Sequence, residues 1–199
     1  MSEIKLFGKW DTVDIKVEDP GLRDYITLDA RYVPKSSGKN ASNRFWKSKY
    51  HIVERLINKM MVPGHKGRRH KFSSGHCTGK YSTIYLKVIK CFELIERELN
   101  KNPIEVFVKA VENAAPREEI TTIEYGGARY PQAVECSPQR RIDIALRQMI
   151  QGSFNSSHNK KIKIERCLAN EIIKAYKTDQ GSQAISKKLE LERQADSSR

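Results

Sequence analysis

Residues 102–152, NPIEVFVKAVENAAPREEITTIEYGGARYPQAVECSPQRRIDIALRQMIQG, decide how the chain is built. Asn102 followed by Pro103 marks a helix start: a side-chain acceptor at the cap, then a residue with no N–H to leave unpaired, and Glu105 placed to complete a capping box. Ile104, Phe107, Val108, Val111 and Ala115 recur at helical spacing, and Pro116 ends the run. Residues 119–125 and 129–136 then alternate around Gly126 and Gly127, the tip of a hairpin whose turn requires positive φ. Pro131 would spoil a central strand but is tolerated in a ribbon that is all edge. Ser137 is expected to cap a second helix begun by Pro138. Its inner face would carry Ile142, Ala145, Leu146, Met149 and Ile150, with Arg140, Arg141 and Arg147 looking outward. The product is a helix, a protruding two-stranded ribbon and a second helix.

Outward from this element the chain stays helical. Tyr81, Tyr85, Val88, Ile89, Phe92, Ile95 and Leu99 form one apolar stripe of a long amphipathic helix. A shorter helix over 51–62 is stopped by Pro63 and Gly64, and residues 64–80 read as a glycine-rich basic loop. After Gly152 a loop to Asn159 is expected, then the basic run Lys160, Lys161 and Lys163. A helix with Ile164, Cys167, Leu168, Ile172, Ala175 and Tyr176 follows, and a last one over about 182–196 carries Ile185 and Leu189. Residues 1–44 have weak periodicity, turn signals at Asp19-Pro20-Gly21 and Ser36-Ser37-Gly38, apolar anchors at Phe7 and Trp10, and room for a short helix near 22–30. Such an arm cannot fold by itself. The expected fold class is mainly α: a bundle of about six helices with one inserted β-hairpin and an extended basic N-terminal arm. Residues 1–44 form the arm or extension, and 45–199 a helical RNA-binding domain with its hairpin at about 119–137.

Hydrophobic residues make up 38% of the 199, low for this length, so part of the chain should be extended or held by a partner. The net charge of +13 is unevenly spread: residues 1–34 hold five Lys/Arg against seven Asp/Glu, residues 35–80 twelve against one, and residues 81–199 twenty against sixteen. A basic surface serving only solubility would spread the excess, whereas a phosphate-binding stretch concentrates it. The basic stretch also interleaves Phe45, Trp46, Tyr50 and Phe72 with its cations, a pattern suited to nucleic acid. No run of about 18 apolar residues and no signal-peptide core is present, so no membrane association and a cytoplasmic location are expected. Cys77, Cys91, Cys136 and Cys167 lack CxxC spacing and imply a reducing compartment.

Phosphate-loop, nucleophile-elbow, HExxH and dinucleotide-binding motifs are absent. His65, His70, His76 and Cys77 lack the paired spacing of a zinc site, and as acid–base groups they would need a ribonuclease-like geometry. Among Lys66, Arg68, Arg69 and Lys71 they read better as donors along a phosphate backbone. No catalytic residue, metal or cofactor is assigned. No helix-turn-helix offers a recognition face for a DNA major groove, whereas basic loops, an arm and a ribbon suit the shape and phosphate readout of folded RNA.

Several segments closely resemble one family: Asn58-Lys-Met-Met, Asn102-Pro-Ile-Glu-Val-Phe-Val, Ala115-Pro-Arg-Glu-Glu, Tyr125-Gly-Gly-Ala-Arg-Tyr, Ser137-Pro-Gln-Arg-Arg-Ile-Asp-Ile-Ala-Leu-Arg and Leu168-Ala-Asn-Glu-Ile-Ile. In order and spacing, from about residue 51 to the C-terminus, they are similar to small-ribosomal-subunit protein seven. The opening Ile4-Lys-Leu-Phe-Gly-Lys-Trp and the ending from Lys187 look like the archaeal and eukaryotic branch. The resemblance implies a non-enzymatic protein that binds the three-prime major domain of small-subunit rRNA, nucleates head assembly beside neighbouring head proteins, and borders the exit-site tRNA and the mRNA path.

It also implies RNA contacts from the 64–80 loop, from Arg140, Arg141 and Arg147, and from Lys187 and Lys188, with Gly126, Gly127, Arg129 and Tyr130 at the ribbon tip. Lys47, Lys49 and Lys80 complete the expected RNA-binding set. A DNA-architectural protein gripping a minor groove with its β-arm is the alternative, and an RNA-cleaving enzyme using the loop histidines comes third. Replacing Arg68 and Arg69 is expected to weaken RNA binding and to flatten its salt dependence by about one log–log unit for each phosphate no longer neutralised. An unchanged slope in filter binding would take this loop off the RNA.

Overall fold

A computed structural model describes residues 4–64 and 79–199. The elements run α1 Pro20–Arg23, a 3-10 helix Arg44–Lys49, α2 Ile52–Met60, α3 Tyr81–Leu99, α4 Pro103–Ala114, β1 Glu118–Tyr125, β2 Ala128–Glu135, α5 Pro138–Ser157, α6 Ile164–Tyr176 and α7 Gln183–Asp196. Among the described residues the fold is therefore mainly helical with one two-stranded antiparallel hairpin. Asn102 caps α4 by accepting from the Ile104 N–H at 3.1 Å, and its amide also donates to the Asp11 carbonyl. Asn100 ends α3 in the left-handed region, and Ser182 caps α7 by accepting from Ala184 and Ile185. In the hairpin turn Gly126 and Gly127 both have positive φ, at 59° and 83°. The pairing places Tyr125 opposite Ala128, Ile123 opposite Tyr130 and Glu118 opposite Glu135.

Several sequence expectations are corrected. Helix α5 does not stop at Gly152 but continues to Ser157. A Cβ on Gly152 would lie 3.0 Å from Gln183 Cβ and from Glu171 Cδ, so this glycine permits close helix packing and is not a terminator. Ser137 occupies the cap position of α5, but its side chain makes no cap hydrogen bond. The first helix is one turn over 20–23, and the 3-10 helix occupies a stretch without periodicity. On the last helix Ile185 is buried and Leu189 exposed. Cys91, Cys136 and Cys167 are free, buried thiols, with Cys136 pushed up to about 11, first by burial and then by Glu119.

The N-terminal segment joins the core. Leu6, Phe7, Trp10, Val17, Leu22 and Ile26 are buried in the same cluster as the bundle helices. Phe7 stands edge-on to Tyr85 at 5.0 Å, Trp10 edge-on to Phe92 at 5.8 Å, and the Trp10 indole N–H donates to Glu96. Further along, the Glu112 carboxylate accepts the N–H groups of Glu18 and Asp19 at 2.7 and 3.2 Å. The nearly buried Glu54 takes both the N–H and the hydroxyl of Ser36, and the Tyr81 hydroxyl donates to the Pro34 carbonyl at 2.6 Å. These partners convert an arm with little packing surface of its own into a strap across the bundle.

His51 ends this strap. It is fully buried, and its Nδ1 accepts the Val53 N–H to cap α2. Burial, aided by nearby Arg31, pushes its pKa down from 6.5 to about 4. The folded chain thus holds a neutral imidazole that the unfolded chain protonates more readily. Stability that is full above about pH 6.5 should decline as the pH falls toward about 4, by about 2 kcal/mol at pH 5. Urea unfolding near pH 7.5 and pH 5 should show this decline in the wild type. His51→Asn, which keeps a capping acceptor, should lack this component.

Candidate nucleic-acid interface

Helices α2 and α5 and the 3-10 helix border a cleft of about 430 Å³. Arg44 and Lys47 of the 3-10 helix, Lys59 of α2 and Arg147 of α5 line it, together with the amides of Asn40, Asn43 and Asn58. An adjoining hollow of about 220 Å³ shares Arg44, Asp143 and Arg147 and extends to Ser137 and Arg140, at the N-terminus of α5 beside the hairpin. The cationic surface therefore runs along α5 toward the ribbon base.

The charges in this cleft crowd one another. Lys59 is held below the usual lysine range first by burial and then by Arg147 and Lys47, with Asp143 opposing. Asp143 accepts from Lys47 Nζ at 2.8 Å and from Arg55 NH2 at 3.1 Å. Burial would raise its carboxyl, but these two cations keep it below its ordinary value. Beside the cleft, Phe45 is exposed, the Arg44 guanidinium lies over its ring at 5.9 Å, and Lys49 lies over Trp46 at 4.1 Å. Such a surface offers phosphate partners and open ring faces together.

The hairpin adds a second kind of contact. By alternation Ile123, Tyr125 and Tyr130 share one of its faces, and Tyr125 is 82% and Tyr130 58% exposed. The opposite face carries Glu124 and Arg129, a loose pair at 3.6 Å. An apolar face this open on a bare ribbon has the character of a contact surface.

The expected site residues fall into distinct groups. Lys47, Arg140 and Arg147 line the connected hollows, Lys49 flanks them, and Gly126, Gly127, Arg129 and Tyr130 form the exposed tip. Lys80 is exposed at the start of α3. Lys66, Arg68, Arg69 and Lys71, with His65, His70, His76 and Cys77, lie outside the described residues. Arg140 is held by both oxygens of Glu119, so a ribbon carboxylate offsets the cost of a cation in the first turn of α5. Arg141, expected to face outward, is instead buried, donating from Nε to the Pro116 carbonyl at 3.1 Å and from Nη2 to Asp19 at 2.7 Å. Lys187 pairs with Glu190, and the half-buried Lys188 donates to the Asn113 carbonyl at 2.8 Å.

Sequence reading missed Arg44, Lys59 and Asp143, which separate elements bring together, and it missed a second cleft. That cleft, of about 830 Å³ between α3 and α6, is lined by Lys90, Arg97, Lys161, Lys163 and Arg166, with Glu93 and Glu165 among them, around Leu94 and Ile162. The run at 160–163 is its visible trace in the sequence. Among the described residues no cluster of three or more His, Cys, Asp or Glu could hold a metal ion, and no helix is long and apolar enough to cross a membrane.

Comparison with known proteins gives the family of the chain. Residues 22–199 match the family described as ribosomal protein S7p/S5e. The chain is 55% identical over 197 residues to small ribosomal subunit protein uS7 of Nanoarchaeum equitans, covering 99% of this chain and 100% of that protein. It is 46% identical over 198 residues to the uS7 of Methanococcus aeolicus, covering 99% and 100%, and 44% identical over 197 residues to that of Archaeoglobus fulgidus, covering 99% and 96%.

The two neighbouring arginines separate structure from surface. Arg141→Met, which strips a buried carbonyl and a partly buried carboxylate of their donor, should cost about 3 kcal/mol in urea unfolding. Arg140→Met, which removes an exposed pair, should cost no more than about 1 kcal/mol.

Proposed function

Because the chain belongs to the ribosomal protein S7p/S5e family, we propose that it is a structural, non-enzymatic protein of the small ribosomal subunit that binds the three-prime major domain of its rRNA. The observation that carries this reading is the near full-length match to small-subunit relatives, which includes the N-terminal strap. The proposed mechanism is charge neutralisation at fixed spacing. Arg44, Lys47, Lys59 and Arg147 would neutralise phosphates in the α2–α5 cleft, and Arg68, Arg69 and the other cations of residues 65–80 raise the net positive charge of the chain. The α3–α6 cleft takes a second stretch of backbone. The rigid bundle sets the spacing between these contacts, which is how a protein reads folded RNA by shape.

Binding two separated stretches of one RNA domain would draw them together, and this is how the chain would nucleate head assembly in the cytoplasm. The ribbon, with Tyr125 and Tyr130 open on one face, would extend from the body toward the exit-site tRNA and the mRNA path, where ring faces stack on unpaired bases. Neighbouring head proteins would meet surfaces outside the two clefts.

The competing reading is a DNA-architectural protein, since a β-arm on a helical body also suits a minor groove. Filter binding in rising salt should show retention on a three-prime major-domain rRNA fragment beyond that on duplex DNA of equal length. Arg44→Ser with Arg147→Ser should lower the log–log salt slope by about 0.7–0.9 for each phosphate that the pair neutralises in the wild type. Stronger retention on the DNA would replace this function with the architectural one.

A further inference from the structure

A carboxylate in the middle of a polyanion site is out of place on charge alone. Asp143 sits on α5 in the lining of the α2–α5 cleft, among Arg44, Lys47, Lys59 and Arg147. Its two oxygens are divided between two elements: Oδ2 accepts from Lys47 on the 3-10 helix and Oδ1 from Arg55 on α2. Arg55 is 1% exposed along its side chain, and its Nη1 donates to the Tyr25 carbonyl in the strap at 3.3 Å. The 3-10 helix, in contrast, has no buried side chain and no side-chain cap. Hydrophobic packing therefore does little to hold it. Its ties among the described residues are polar: Lys47 to Asp143, the Ser48 carbonyl to the Thr27 hydroxyl at 2.7 Å, and a long contact of 3.5 Å from Gln139 to the Arg44 carbonyl.

We propose that Asp143 is a positioning residue for RNA binding, an internal anion that gathers Lys47 and Arg55 and so docks the 3-10 helix, with Arg44 and its exposed rings, on α2 and α5 before RNA arrives. The inference rests on the RNA-binding reading above and adds to it a residue that touches no RNA. With the carboxylate present, the cation cluster is already assembled, and the RNA is spared the ordering of long side chains and of a weakly packed segment on binding. The repulsion between Asp143 and phosphate is small because two cations already neutralise the carboxylate.

Charge alone and positioning predict opposite signs. If Asp143 only repels phosphate, Asp143→Asn makes the cleft more positive and tightens RNA binding. If it positions the cations, the same change weakens binding. Affinity of the full chain for the three-prime major-domain rRNA fragment, at one fixed salt concentration, is expected to fall about fivefold or more on Asp143→Asn. In a Lys47→Met background, where the tie is already cut, Asp143→Asn should produce no further fall. Binding by Asp143→Asn that equals or exceeds wild type overturns the inference. So does an equal fall in both backgrounds, which is the signature of a fold weakened around an unpaired Arg55. Failure of the wild type to bind the fragment removes the RNA-binding reading, and this inference with it.

Discussion

One guanidinium closes this fold. Arg141 reaches from the first turn of α5 to the Pro116 carbonyl, where the chain enters the ribbon, and to Asp19, where the strap turns into α1. It is buried, so each of its partners would be left with an unmet charge or acceptor in its absence. The Asp19 N–H is taken by Glu112 on α4, so strap, ribbon base and two bundle helices meet within one polar knot. The direction in which the hairpin leaves the body depends on this meeting point, as does the orientation of the α5 face that carries Asp143 and Arg147.

Two populations of cation stand out among the described residues. Arg55, Arg141 and Lys188 are turned inward on carboxylates and carbonyls, and they tie segments together. Arg44, Lys59 and Arg147 converge on an open cleft, where burial and the nearby Arg147 and Lys47 disfavour the charge on Lys59, so that an added anion is favourable there. The adjacent pair Arg140 and Arg141 shows how little sequence position says about which population a cation joins. One residue apart on a helix is about 100°, enough to carry a side chain from solvent to core.

Helices α3 and α4 and the ribbon are legible in the sequence because local signals agree: a long apolar stripe, an Asn-Pro start, a Gly-Gly turn. The α2–α5 cleft is half legible, since the charge excess of residues 35–80 is visible, but its carboxylate and Arg147 come from α5 and only tertiary packing adds them. The strap is not legible as part of the core. Phe7 and Trp10 stand out as anchors, but their partners Tyr85, Phe92 and Glu96 are about eighty residues away, and nothing local names them. Gly152 misleads for a similar reason: a glycine at the end of an apolar run reads as a stop, yet this one makes room for Glu171 and Gln183.

The strap also fixes an order of events during synthesis. Glu18 waits 94 residues for Glu112, and Asp19 waits 122 for Arg141. Until α4 and α5 have been made, the turn at Glu18 and Asp19 therefore lacks these partners, although Phe7 and Trp10 can already pack on α3. The strap, first to emerge, is thus secured in stages, and a nascent chain halted before α5 would hold it on α3 and α4 but leave Asp19 without its guanidinium partner.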